Sequence, residues 1–176
     1  THDTARILTS LIYDSIEHKP RHIQAQCKLT NEEYQKAKTL LKTATVLQYT
    51  LPGFPSVYYG DEAGLQGGGD PFNRGFFPWG NEDTELTDWY KKLGEIRRNA
   101  KSLKDGDFIP YSAMLSCVAY KRQCEKETLF VIANRNPHEI DYYLPEEFKY
   151  QKEILSGSPV TDFVKVPAFG AVIIKK

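Results

Sequence analysis

The hydropathy of this chain changes period once, at Lys104-Asp105-Gly106, and that change limits what the chain can fold into. Before it, apolar residues recur at helical spacing. Ile7, Leu8, Leu11, Ile12 and Ile16 predict a helix over 4–16. Thr30-Asn31-Glu32-Glu33, a Thr followed three residues later by a Glu, is the pattern of a capping box and predicts a helix start. Tyr34, Ala37, Leu40, Leu41, Ala44 and Leu47 mark one face of that helix, and Leu51-Pro52-Gly53-Phe54-Pro55 stops it. A third helix is expected over about 86–103, with Trp89, Tyr90, Leu93, Ile96, Ala100 and Leu103 as its apolar stripe. The polar segment 17–29 predicts a surface loop, and Ser56-Val57-Tyr58-Tyr59 a short buried strand. After residue 105 the pattern becomes short β-rich runs: 107–112, 115–123, 128–134, 139–144, 150–155, 161–166 and 169–175. Asn134-Arg135-Asn136-Pro137 and Ser156-Gly157-Ser158-Pro159 supply turn chemistry between them, which predicts an antiparallel sandwich. The chain thus divides into an α/β part, 1–104, and an all-β part, 105–176.

Composition removes several function classes. Lys plus Arg number 23 and Asp plus Glu number 23, so the formal net charge is zero. A nucleic-acid binder normally carries a basic excess or a basic stripe. The longest apolar runs, at 129–133 and 171–174, fall far short of the roughly 18 residues of a membrane span. Cys27, Cys117 and Cys124 show no CxxC spacing. They are expected to be idle thiols in reducing surroundings, which favours the cytoplasm over secretion. The chain opens Thr1-His2-Asp3-Thr4 with no Met and reads as a piece of a longer protein. The missing signal peptide therefore carries no information.

His2-Asp3 immediately precedes a predicted helix, where a preceding strand would end. In parallel β/α proteins catalytic groups sit at the C-terminal ends of strands. A His and an Asp there can exchange hydrogen bonds with sugar hydroxyls. Tyr58-Tyr59-Gly60-Asp61-Glu62 is a second such strand end. Asp61 and Glu62 are adjacent and should diverge, whereas retaining glycosidases hold two carboxyl groups about 5–5.5 Å apart on separate elements. Salt-bridged structural carboxylates are therefore expected. The Gly/Asp/Pro-rich segment 60–83 reads as an ordered functional loop. Asp70 and Arg74 within it form either an exposed local ion pair or a clamp on sugar hydroxyls. Trp79, between Pro78 and Gly80, reads as a core anchor of the loop or as a stacking surface for a pyranose ring. Gly67-Gly68-Gly69 is not a phosphate cradle, because no Lys-Ser/Thr follows and no helix starts there. His18, His22 and His138 stand in polar context and are expected to be solvated.

Taken in order, these residues resemble a known family. Thr1-His2-Asp3-Thr4-x-Arg6-x-Leu8-Thr9 resembles the His-Asp motif that ends the seventh barrel strand in the α-amylase superfamily of glycoside hydrolases. Leu51-Pro52-Gly53-x-Pro55-Ser56-Val57-Tyr58-Tyr59-Gly60-Asp61-Glu62-x-Gly64-Leu65 is similar to that family's eighth strand. Gly68-x-Asp70-Pro71-x-x-Arg74, followed by Pro78-Trp79, resembles the neopullulanase, cyclomaltodextrinase and maltogenic-amylase branch. These motifs cover roughly 1–103, and the all-β remainder matches the sandwich that follows the barrel in this family.

The resemblance implies the last two β/α units of a (β/α)8 TIM barrel followed by an antiparallel β-sandwich. It implies retaining cleavage of α-1,4 and α-1,6 glucosidic bonds in starch-derived oligosaccharides. Carried over residue by residue, Asp3 is the transition-state stabiliser, His2 grips the same sugar, and Asp70 and Arg74 contact sugars further along the donor side. The family's Asp nucleophile and Glu acid/base have no counterpart here, so the 176 residues alone are expected to be inactive. Ala5 stands where relatives often carry Pro or Glu, and Phe76-Phe77 replaces a usual Met; both bear on linkage and size preference. No metal or cofactor is expected in this segment, any calcium belonging to the rest of the parent. The expected partners are α-glucan oligosaccharides, with no nucleic acid and no membrane. Copies of the chain are expected to self-associate through exposed barrel elements. Two other readings stay open: a non-catalytic carbohydrate-binding or stabilising module, and a fragment of a glucan transferase.

Overall fold

The capping box predicted at Thr30 forms. The Glu33 carboxylate accepts the Thr30 backbone N–H at 2.8 Å and its hydroxyl at 2.9 Å, and the Glu33 N–H returns to the Thr30 oxygen at 3.3 Å. The Thr30 N–H foremost, then the Tyr13 hydroxyl, hold the Glu33 carboxyl below its ordinary pKa. The computed structural model describes residues 2–114 and 116–176, so Thr1 of the first motif and Leu115 of the second predicted strand lie outside the described residues. The chain folds as two units, Thr1–Lys42 with Pro55–Lys92 and Thr43–Phe54 with Leu93–Lys176.

In the first unit the helix expected over 4–16 is one turn, α1, Ile7–Ser10. Ser15 then takes a left-handed φ of 56°, and a 3-10 turn follows over Ile16–His18. The apolar residues are buried all the same. Leu8, Leu29, Ala37, Leu41 and Leu86 make the core, and Ile7, Leu11, Ile12, Tyr13 and Tyr34 pack on it. The spacing registers burial, and turns satisfy it as well as a continuous helix does. The segment expected to be all loop contains α2, Arg21–Ala25. The capping box starts α3, Asn31–Thr50.

Ser56-Val57-Tyr58-Tyr59 joins no sheet. A parallel strand needs hydrogen-bonding neighbours, and every strand pairing among the described residues is antiparallel and belongs to the second unit. The barrel strand expected at 56–59 is therefore not formed as a strand here. The third helix is α4, Thr84–Asn99, capped by Asp83, whose carboxylate accepts the Leu86 N–H at 3.1 Å. Ala100 is extended and separates α4 from α5, Lys101–Asp105. The Ser102 N–H donates to Glu127 at 2.9 Å, replacing the bond that a continuous helix would have made.

The second unit carries β1 (Asp107–Met114), β2 (Cys117–Cys124), β3 (Glu127–Asn134), β4 (Ile140–Tyr143), β5 (Lys152–Glu153), β6 (Phe163–Val166) and β7 (Ala171–Lys175). One sheet has the order β1-β2-β3-β7-β5, and β4 pairs with β6 in a second. Phe130, Ile132, Val172 and Ile174 from the larger sheet share a core with Leu144, Phe148, Val164 and Val166. The Phe130 and Phe148 rings stack at 4.8 Å. Asn134 pins the turns by donating to the carbonyls of His138 at 2.9 Å and Pro167 at 2.9 Å. Among the described residues no group of three His, Cys, Asp or Glu could hold a metal ion. No helix among them is long and apolar enough to cross a membrane. All three cysteines are free thiols.

Candidate functional site

Two buried side chains, Arg6 and Asn73, tie the segment that carries His2 and Asp3 to residues 59–74 within the first unit. The Arg6 side chain is wholly buried. Its Nη1 donates to the Tyr59 carbonyl at 2.5 Å and to the Asp61 carboxylate at 3.2 Å. The guanidinium lies 4.1 Å from the Tyr58 ring centroid and 4.6 Å from that of Tyr59, so two aromatic faces supplement the carboxylate. Among the described residues its buried Nε and Nη2 have no hydrogen-bond partner, nor has the buried Oε2 of Glu62. Burial raises the pKa of the Asp61 carboxyl, and the hydrogen bond and charge of Arg6 offset that rise only in part.

Asn73 is also wholly buried. Its Nδ2 donates to the His2 carbonyl at 2.9 Å and to the Thr4 carbonyl at 2.7 Å, the two carbonyls that flank Asp3. Arg74 follows, with Nη2 at 3.4 Å from the same His2 carbonyl and Nε paired to Asp70 at 2.9 Å. His2 Nε2 is 3.0 Å from the Asp3 carboxylate, and the two side chains are 67% and 70% exposed. The four residues singled out in the sequence, His2, Asp3, Asp70 and Arg74, are thus brought together, although Asp70 and Arg74 lie about seventy positions down the chain.

The 60–83 segment reaches the His2-Asp3 turn because its glycines are packed. Gly67 N–H donates to the Thr9 hydroxyl at 3.0 Å, and the Arg6 N–H donates to the Gly67 carbonyl at 3.0 Å. A Cβ on Gly67 would sit 2.2 Å from the Phe72 carbonyl oxygen, so a side chain there would push Asn73 away from its partners. Gly69 N–H donates to the Gln24 side chain at 2.8 Å. Gly60, at φ 86°, turns the chain between Tyr59 and Asp61, and the Tyr59 hydroxyl donates to the Gly75 carbonyl at 2.9 Å. The sequence pattern singled out neither Arg6 nor Asn73. Both lie inside quoted motifs, but each acts on residues more than fifty positions away, so local spacing carries no sign of it.

Trp79 is 80% exposed and rests on Phe77 at 4.4 Å between ring centroids, so it does not anchor a core. Asp61 is engaged by Arg6 and Asp70 by Arg74, as expected of structural carboxylates at the first position and of a local pair at the second. Asp3 is the most exposed of the three carboxylates and pairs with the His2 imidazole, while Arg74 reaches the His2 carbonyl. This set can accept and donate hydrogen bonds to vicinal hydroxyls. It does not supply the two opposed carboxyl groups that glycosidic cleavage uses.

No protein-family model matches the chain. Over 127 residues, 70% of its length, it is 47% identical to an amylopullulanase of Thermoanaerobacter thermohydrosulfuricus and covers 8% of that protein. Over 150 residues it is 31% identical to a maltogenic α-amylase of Bacillus acidopullulyticus, a match spanning 82% of this chain and 22% of the relative. The crystal structure of the maltogenic amylase from S. marinus superposes with a TM-score of 0.75 at 29% identity, covering 99% of this chain and 21% of that one. The chain therefore spans less than a quarter of the length of each of these relatives.

Proposed function

Because the chain belongs in sequence and fold to the α-amylase family of glycoside hydrolases, we propose that it is the C-terminal portion of a retaining α-glucan hydrolase and that its His2-Asp3 turn forms part of that enzyme's active centre. In this reading residues 1–104 complete the (β/α)8 barrel and 105–176 form the sandwich behind it. The observation that carries the reading is the convergence of Asp3, His2, Asp70 and Arg74 through Asn73 and the His2 carbonyl. The buried N–H groups of Arg6 and oxygen of Glu62, which have no partner among the described residues, support it further, since such groups normally have partners and a larger protein would supply them.

Asp3 grips hydroxyls of the sugar at the cleaved bond and stabilises the positive charge of the oxocarbenium-like transition state. His2 bonds the same sugar. Arg74, a planar multiple donor, and Asp70, an acceptor, hold sugars further along an α-1,4- or α-1,6-linked chain. Proton donor and nucleophile come from the rest of the longer protein, so these 176 residues alone do not turn over. Isolated copies associate through the uncovered elements of the first part, which light scattering reads as a mass above the monomer.

The test is reducing-sugar release from starch, pullulan and cyclodextrin. The longer protein should be active and its Asp3→Asn variant slower by about 10³-fold in kcat. This chain alone should release nothing. Turnover by this chain that vanishes in Asp3→Ala overturns the reading.

A further inference from the structure

We propose that Asn73 is a positioning residue for Asp3, its carboxamide aiming the Asp3 carboxylate by bonding the carbonyls on both sides of it. The inference rests on the reading of Asp3 as the charge-stabilising carboxylate. A side-chain amide has two N–H groups, and the structure uses the Asn73 nitrogen on two carbonyls, His2 at 2.9 Å and Thr4 at 2.7 Å. Fixing the carbonyls of the residues before and after Asp3 restrains the backbone between them, and with it the direction of the Asp3 Cα–Cβ bond. The Asp3 side chain is 70% exposed, so packing contributes little to that direction. Arg74 reaches the same His2 carbonyl only at 3.4 Å, near the limit of a hydrogen bond, so the two Asn73 bonds are the shorter side-chain ties on these carbonyls.

Asn73 is also placed to couple two parts of the site. It lies in the turn that carries Asp70 and Arg74, closed by the Phe72 N–H to Gly69 carbonyl bond at 2.8 Å and the Arg74 N–H to Pro71 carbonyl bond at 3.0 Å. Sugar held by Asp70 and Arg74 and charge stabilised by Asp3 are then registered against each other through one side chain. A small misplacement of a reacting or stabilising group costs about 10²-fold in rate, although the group itself is untouched.

The experiment uses the longer protein carrying this segment, with Asn73→Asp and Asn73→Ser variants assayed on maltooligosaccharides. Aspartate keeps the shape but, ionised, turns an oxygen toward two carbonyls. Its kcat should fall about 10²-fold with KM nearly unchanged, because Asp70 and Arg74 still bind the ground state. Serine keeps one donor and should fall between. Lowering the pH protonates the introduced carboxyl, restores a donor and should recover part of the loss relative to wild type. In an Asp3→Asn background Asn73→Asp should cost nothing further, since residues acting as a unit are not additive. Variants within twofold of wild type, or a full 10²-fold loss persisting in the Asp3→Asn background, overturn the inference and leave the function standing. A wild-type protein without activity on α-glucan overturns both. Should Asn73→Asp fail to fold, the Ser variant and its double mutant decide.

Discussion

Arg6 and Arg122 are 1% and 2% exposed, one in each unit, and they are held by different chemistry. Arg122 is held by backbone carbonyls: Thr50 at 2.7 Å, Gly106 at 3.0 Å and Leu103 at 3.4 Å. Burial, and then the charge of Arg97, push its pKa below the ordinary value. Arg6 takes one carbonyl, one carboxylate and two aromatic faces; among the described residues its Nε and Nη2 have no acceptor, against Nε alone in Arg122. Arg122 staples elements of its own unit, the end of α3 and the turn between α5 and β1. Arg6 aligns two motifs that bear on a site, and its set of partners is unfinished. Carbonyls suffice for a staple; alignment beside a site here involves a buried counter-charge, and that makes it the more fragile of the two.

The largest effect should come from Arg6→Met in this chain. It leaves the half-buried Asp61 without its counter-charge, a loss of about 3 kcal/mol, the low end for a broken buried pair. Both tryptophans, Trp79 and Trp89, lie in the first unit, so urea denaturation followed by fluorescence reads it there. Adding Asp61→Asn should return part of the loss, because the stranded charge is gone. An unchanged urea midpoint in Arg6→Met would break the contrast. Arg122→Met strands carbonyls but no charge, so about 2 kcal/mol is expected. Hydrogen exchange of β1 to β3 amides reports it, with the fluorescence transition unmoved.

A smaller effect sharpens the picture of the first unit. Asp83→Ala removes the α4 cap and should cost about 1 kcal/mol. It should also flatten the acid limb of stability. Burial pushes the Asp83 carboxyl up, but the Leu86 N–H, the Tyr34 hydroxyl and Lys38 outweigh it and hold the pKa below ordinary. Lys38 and then Lys42 do the same for Glu85. A depressed folded pKa gives stability that is complete above the unfolded values of about 3.9 and 4.3 and is lost as pH falls through the folded ones. Asp83→Ala removes one contributor to that loss, which urea midpoints across the acid range will read. Least of all, Trp79→Ala should stay within about 0.5 kcal/mol of wild type, since the ring is mostly in solvent.

What the sequence discloses is what neighbours along the chain decide. The capping box at Thr30, the strand-and-turn alternation after residue 105 and the four-residue interval of Asp70 and Arg74 are local, and each has its structural counterpart. Ser56-Val57-Tyr58-Tyr59 has the right composition for a strand, but a strand is a relation to other strands, and no ladder among the described residues reaches it. The 4–16 stripe marks a buried face without specifying how the backbone turns beneath it. Asn73 is invisible for a third reason. Its role exists only because packed glycines fold a loop back onto carbonyls 69 and 71 positions earlier.

The carboxamide of Asn73 is also a point at which the site can age. Asparagine is among the heat-labile residues, and loss of ammonia from this one yields the very aspartate that replaces donors by acceptors. Its complete burial shields it while the chain is folded, so damage accrues in brief excursions to open states. A long-stored sample would then keep nearly all its mass and shape and lose its aim.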